Sequence, residues 1–166
     1  KFNFYGVNDP EKLKENISVN YPEIQSFMHF YPKMNNKKLL SELRSSNTLL
    51  LFNYYSFMGT KIYDYLGINR MILFCFKNDN EANELKNKWY NYKNDENFNI
   101  NPQIDLLNKT NSGIIVENND HLYDTLLELN EIFKKKKLIP VLEYNNSNYS
   151  RREQCKLLCE NIIYYL

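Results

Sequence analysis

The sequence predicts an α/β fold with a Rossmann-like parallel sheet and helices on both faces. Three observations lead there. Strand-like and helix-like patterns alternate along the chain. Two strand-like runs, Thr48–Phe52 (TLLLF) and Met71–Phe76 (MILFCF), are apolar throughout, as strands covered on both faces of a parallel sheet are. The 166 residues, 43% hydrophobic, suffice for a sizeable core in one domain, 1–166, with no internal repeat or low-complexity linker.

In chain order, Phe2–Tyr5 is a short β-prone run that stops at Gly6. Asp9 and Pro10 open a helical stretch, Glu11–Ile17. Ile24–Phe30 is mixed but strand-like. Asn35 or Asn36 is a cap for a helix over Lys37–Arg44, with Leu39, Leu40 and Leu43 on one face. After the strand Thr48–Phe52, Gly59 precedes a helix, Thr60–Leu66, and the strand Met71–Phe76 follows. Glu81–Tyr92 is amphipathic and helical in pattern, Ile104–Asn108 reads as a short helix, and Gly113 introduces a strand, Ile114–Val116. Asn118, Asn119 or Asp120 caps a long helix to about Lys136, with Leu122, Leu126, Leu129 and Phe133 as its buried stripe. The lysines 134–137 complement the dipole at its end. Ser150-Arg151-Arg152-Glu153 is a capping box for a last helix that carries Leu157, Leu158 and Ile162.

Composition excludes several functions. Lys and Arg number 21 against 20 Asp and Glu, a net charge of +1, which argues against a general nucleic-acid or membrane-surface binder. No apolar run approaches the ~20 residues that span a bilayer. No signal-peptide pattern opens the chain, so a cytoplasmic location is expected. The first residue is Lys1 rather than Met, as in a fragment. With four glycines, the chain holds neither GxGxxG nor GxxxxGK[ST]. Three cysteines without framework spacing fit a reduced protein, and Cys75, Cys155 and Cys159 read as buried apolar thiols. Neither a metal nor a cofactor is called for.

In open α/β sheets, ligands bind beyond the carboxyl ends of the strands. The junction after Thr48–Phe52 is the informative one. Gly59 leaves room where a ligand would approach the helix start. The N–H groups of Gly59, Thr60 and Lys61 and the helix dipole favour an anion there, and Lys61 adds a positive charge. Asp64 lies one turn beyond Thr60, where a carboxylate accepts two hydrogen bonds from a ribose diol. The plain alternative is a helix capped by Thr60 with Lys61 and Asp64 in solvent.

As an ordered series, the segments from about Phe30 onward resemble the C-terminal half of GT-B glycosyltransferases of family 4, the glycosyltransferases group 1 type. The helix Lys37–Arg44, Ser45-Ser46-Asn47 and the strand Thr48–Phe52 look like that family's helix and following s-a-d-v-l-l-l strand. Gly59-Thr60-Lys61-Ile62-Tyr63-Asp64-Tyr65-Leu66 resembles its G-x-K-x-x-E-Y-L version of the nucleotide-sugar motif. Arg70-Met71-Ile72-Leu73 stands where k-P-I-L is usual, with Met71 for the proline. Asn111–Val116 looks like its t-n-s-G-i-v-v strand, Asn118–Leu129 like the helix after it, and Tyr149-Ser150-Arg151-Arg152 like the f-S-r opening of its last helix.

The resemblance implies a domain that binds a nucleotide-sugar donor. In the family, two acidic residues at E-x7-E spacing mark the donor site, matched here by Ser56 and Asp64. Asp64 would hold the ribose hydroxyls, whereas Ser56 supplies no carboxylate. Backbone N–H groups around Met58, Gly59, Thr60 and Lys61 would meet the diphosphate or sugar. Phe30–Met34, with Tyr31 and Met34, sits where the family cradles the base. The catalytic residues are not assigned. The family's N-terminal domain, which takes the acceptor sugar or lipid-linked glycan and makes any peripheral membrane contact, has no counterpart here, so the isolated half is expected not to turn over.

Tyr54 and Tyr55 flank the site as stacking or packing groups, His29 reads as a core histidine, and His121 as a residue near a helix cap. Trp89, with Tyr90 and Tyr92, reads as a core or interface anchor. Two functions stay open: the donor-binding domain of a glycosyltransferase in polysaccharide or glycan assembly, and a non-catalytic glycosyltransferase-like interaction module, which Ser56 favours. A receiver or helicase half is disfavoured by the lack of a P-loop or an acidic phospho-acceptor pocket.

Overall fold

A computed structural model describes residues 1–53, 59–84, 101–140 and 147–164. The protein is mixed α/β, with alternating strands and helices and parallel sheets. It divides into two compact units, Lys1–Leu43 and Arg44–Leu166.

The first unit pairs β1 (Phe2–Tyr5) with β2 (Met28–Tyr31) in parallel. The register sets Phe4 against Phe30 and Tyr5 against Tyr31, and both ring pairs stack, at 5.0 and 4.9 Å between centroids. Between the strands run α1 (Pro10–Asn20) and the 3-10 helix η1 (Pro22–Phe27). Asp9 caps α1 by accepting from the Lys12 N–H at 3.1 Å, and Pro10 takes the first helical position, where no N–H is needed. The strand-like reading of Ile24–Phe30 is corrected at its start. Pro22 fixes φ for a tight turn, so the strand begins only at Met28. Helix α2 (Asn36–Arg44) is capped by Asn35, whose Oδ1 accepts from the Lys38 N–H at 2.9 Å.

The second unit holds a three-stranded parallel sheet in the order β3 (Thr48–Phe52), β4 (Met71–Cys75), β5 (Gly113–Val116). The helices are α3 (Thr60–Ile68), α4 (described over residues 80–84), α5 (Pro102–Thr110), α6 (Asn119–Lys136) and α7 (Arg151–Tyr164). Central β4 is buried at all five residues, as its apolar run predicts. The matching expectation for β3 is corrected. Leu49 and Leu51 are buried, but Phe52 is 54% exposed, because β3 lies at the end of the strand order and its outer face is only partly covered.

Alternating side chains of β4 feed two core clusters. Ile72 and Phe74 join Leu51, Ile62 and Leu66 of α3, and Leu106 and Leu107 of α5. Met71, Leu73 and Cys75 join Val116, Leu129 of α6 and Ile139, with Leu122, Leu126 and Ile132 packed against them. Ile132 takes the place expected of Phe133, which is exposed. Gly113 lets β5 close on β4, since a Cβ there would stand 2.1 Å from the Ile72 carbonyl oxygen. Thr110 and Ser112 are fully buried beside it and satisfy each other, Oγ1 to Oγ, at 2.7 Å.

Several boundaries fall as expected, and some shift. Asn118 caps α6 by accepting from the His121 N–H at 2.9 Å, and Lys137 closes it in the left-handed region at φ 61°. Ser150 accepts from the Glu153 N–H at 3.2 Å to start α7. Helix α5 is longer than the five residues anticipated, since Pro102 opens it and Asn111 ends it at φ 52°. The expectation of buried thiols holds for Cys75 alone. Cys155 and Cys159 are exposed on α7, as are Leu157, Leu158 and Ile162. The helix anticipated over Glu81–Tyr92 is described only as far as residue 84, and Trp89, Tyr90 and Tyr92 lie outside the described residues. No helix among the described residues is long and apolar enough to cross a membrane.

Candidate functional site

The carboxyl ends of β3, β4 and β5 form one edge of the second unit. The chain closes this edge with short backbone bonds. The Asn53 N–H donates to the Cys75 carbonyl at 2.7 Å, Lys77 N–H to Val116 O at 2.8 Å, and Asn78 N–H to Glu117 O at 3.1 Å. Asn53 is 1% exposed, and its Nδ2 donates to the Phe76 carbonyl at 2.8 Å, so a buried amide ties the end of β3 to the end of β4. The sequence reading gave Asn53 no role. Its signal was an amide directly after an apolar strand, where a buried polar side chain must find partners.

The helices that start at this edge differ in how their first N–H groups are satisfied. Asp79 caps α4 by accepting from the Ala82 N–H at 2.9 Å, and Asn118 caps α6. The Glu117 N–H donates to His121 Nδ1 at 3.2 Å, and the Glu117 carboxylate meets Lys77 Nζ at 3.7 Å. That ion pair is half exposed and contributes little. Among the described residues, helix α3 has no such side-chain cap. Its cap residue is Gly59, with extended backbone (φ −66°, ψ 160°) and no side chain to accept from the first turn.

Gly59 is also a glycine that the described fold does not require. Its φ is open to any residue, and a Cβ built on it meets nothing within 4 Å. Thr60 and Lys61 follow it, both exposed, and Thr60 does not cap the helix, contrary to the plain alternative. Asp64, one turn on, is half-buried. Its charge reaches the neighbouring Tyr65, whose phenol is pushed above its ordinary pKa first by burial and then by Asp64. Gly59, Thr60, Lys61 and Asp64 are thus brought together on the first turns of one helix. Ser56 and Met58, with Tyr54 and Tyr55, lie outside the described residues.

Tyr31 and Met34 belong to the first unit. Tyr31 ends β2, 41% exposed and stacked on Tyr5, and Met34 is half-buried in the turn before α2. His29 is half-buried rather than a satisfied core histidine: its Nε2 is buried without a hydrogen-bond partner. No family model matches the chain, and no curated protein or solved structure matches it either.

Proposed function

We propose that this chain is the nucleotide-sugar-binding domain of a GT-B glycosyltransferase of the family 4 type, a Rossmann-like sheet with helices on both faces. The observation that carries the reading is Gly59. A helix start with no side-chain cap and open space at its Cβ position follows a parallel strand, and the helix presents Lys61 and Asp64 on its first turns. The first N–H groups and the dipole of α3 would meet the donor diphosphate, and Lys61 would add a cation. Asp64 would accept from the two ribose hydroxyls. Catalysis would be mainly electrostatic, with the helix start stabilising the departing diphosphate. Basic groups and the acceptor site, for a sugar or lipid-linked glycan, would come from an upstream domain, which would also make any peripheral membrane contact. The enzyme would work in the cytoplasm, in polysaccharide or glycan assembly. A non-catalytic interaction module is the second reading, favoured by Ser56 in place of an acid.

The test is titration of UDP-, GDP- and ADP-sugars onto the protein with its upstream domain. One donor is expected to bind saturably. Asp64→Ala should weaken it about 10- to 100-fold, the loss of charge-assisted hydrogen bonds worth about 1.5–3 kcal/mol. Gly59→Ala should weaken it with stability intact. Saturable binding that neither substitution changes rejects this site. Binding without transfer to any glycan supports the module.

A further inference from the structure

The strands of the second unit run parallel, so the helices that follow them run back and end at the amino edge of the sheet. The chain's net charge of +1 is sorted along this axis. At the carboxyl edge stand Asp79, Glu81, Glu117 and Asp120, with Lys61 and Lys77 among them. At the amino edge, residues 44–47, 69–70, 109–112 and 134–138 carry Arg44, Arg70, Lys109 and the lysines 134–137, and no acid. The Ile139 N–H donates to Asn47 Oδ1 at 3.3 Å, which brings the end of α6 beside the start of β3. Arg70 Nη2 donates to the Arg44 carbonyl at 2.7 Å on the same edge.

The dipole of α6 accounts for part of the lysine run, since cations complement a helix end. It does not account for Lys137. This residue closes the helix in the left-handed region at φ 61°, where a side chain is strained and glycine or asparagine is preferred. Helices α3 and α5 end in the same conformation with Asn69 (φ 60°) and Asn111 (φ 52°). A lysine in that place gives up backbone ease for a charge. Lys134 is held by Glu131 at 2.7 Å, whereas no ion pair among the described residues takes Lys135, Lys136 or Lys137. Phe133 and Leu138, 39% and 49% exposed, stand on either side of the run.

We propose that this end of α6 docks on an anionic lipid bilayer. The ammonium groups of Lys135, Lys136 and Lys137 meet the phosphate headgroups at the ends of their flexible stems. Phe133 and Leu138 enter the boundary between headgroups and acyl chains. A nucleic acid offers phosphates but no apolar layer for those two side chains, which selects the bilayer. A basic cluster and a few apolar groups are each weak anchors alone, and together they make a reversible surface contact. Docking by the amino edge leaves the carboxyl edge, where α3 starts at Gly59, facing solution. The inference goes beyond the nucleotide-sugar reading, which leaves membrane contact to an upstream domain, and does not rest on it.

The test is flotation of the intact chain with vesicles of phosphatidylcholine, alone or mixed with phosphatidylserine, at low and high salt. Binding is expected only where phosphatidylserine is present, and it should fall as salt rises. Replacing Lys135, Lys136 and Lys137 together by Gln should weaken it about 100-fold, at about fivefold for each lysine. Lys137→Asn should weaken binding about fivefold without lowering Tm, which separates the charge from the helix stop. Leu138→Ser, at an exposed position, should weaken it severalfold with the fold intact. No binding to the phosphatidylserine vesicles overturns the proposal, as does binding that the triple lysine variant leaves unchanged. A DNA duplex bound as tightly as the vesicles, with Leu138→Ser without effect on either, overturns it too.

Discussion

Adding one methyl group at Gly113 is expected to force β5 away from β4. A Cβ on Gly113 would stand 2.1 Å from the Ile72 carbonyl oxygen, 2.9 Å from its carbon and 3.0 Å from the Ile72 Cβ. Ordinary carbon–oxygen contacts between strands lie at about 3.3–3.6 Å, so the overlap exceeds 1 Å. The obstructing atoms are mainly backbone, and Ile72 is fully buried, so no side-chain rotation relieves the clash. The strands must separate, loosening the bond from the Ile72 N–H to the Ser112 carbonyl, now 3.1 Å, and the ladder beyond it. Overpacking costs about 1–3 kcal/mol, and each lost hydrogen bond about 1 kcal/mol. With two such bonds, Gly113→Ala should cost about 3–5 kcal/mol. At about 2–4 °C per kcal/mol for a chain of this size, Tm should fall on the order of 10 °C. Urea denaturation measures it: the midpoint falls while the slope stays constant. Gly67→Ala is the control, because a Cβ there meets nothing within 4 Å and alanine favours the helix by up to about 1 kcal/mol. A loss below about 1 kcal/mol at Gly113, or equal losses at both glycines, refutes the reasoning.

Four further outcomes are expected. In native protein, Cys155 and Cys159 should react with a thiol reagent at pH 8 while Cys75 stays protected until unfolding, since burial pushes its thiol up to about 11. The same shift makes stability pH-dependent: the Cys75 contribution is whole below its ordinary 9.0 and is lost as pH rises from there towards about 11, which alkaline denaturation curves report. Asp64→Asn should bring the Tyr65 phenol part of the way down towards 10.0, leaving the burial component, as read by ultraviolet titration. Asn118→Ala should cost about 1 kcal/mol by removing the cap of α6, measured by thermal unfolding.

What was legible in the sequence is what local chemistry writes there. Asp9-Pro10, Asn35, Asn118 and Ser150 each announced a helix start, and each accepts the backbone bond that its position called for, Pro10 excepted. The apolar run of β4 marked a strand covered on both faces, and β4 is buried throughout because it is the middle strand and touches neighbours on all sides. The same kind of run misled for β3, since five apolar letters carry no information about which strand will be outermost. Phe133 and Ile132 are adjacent in the heptad-like stripe of α6, and only the angle at which the helix lies on the sheet chose Ile132. The candidate site divides in the same way. That Gly59 starts a helix without a cap follows from its lack of a side chain; that space lies open beside it does not. The amide of Asn53 stands directly after an apolar strand, which marks it as a buried polar group, but its partner, the Phe76 carbonyl, is distant in sequence and no local pattern names it.

The parallel ladder also bears on the order in which the second unit assembles. Thr48 pairs with Met71, whereas Ile72 pairs with Gly113, so the seam between β3 and β4 closes a much shorter loop than the seam between β4 and β5. Chain entropy therefore favours β3, α3 and β4 as the nucleus, with β5 arriving after the main barrier has been crossed. Truncating Leu51 should slow refolding, and Gly113→Ala should leave refolding nearly unchanged and speed unfolding. A strand that joins last is also the first to leave, so the lifetime of the native sheet is set at the Gly113 seam rather than in the middle of its core.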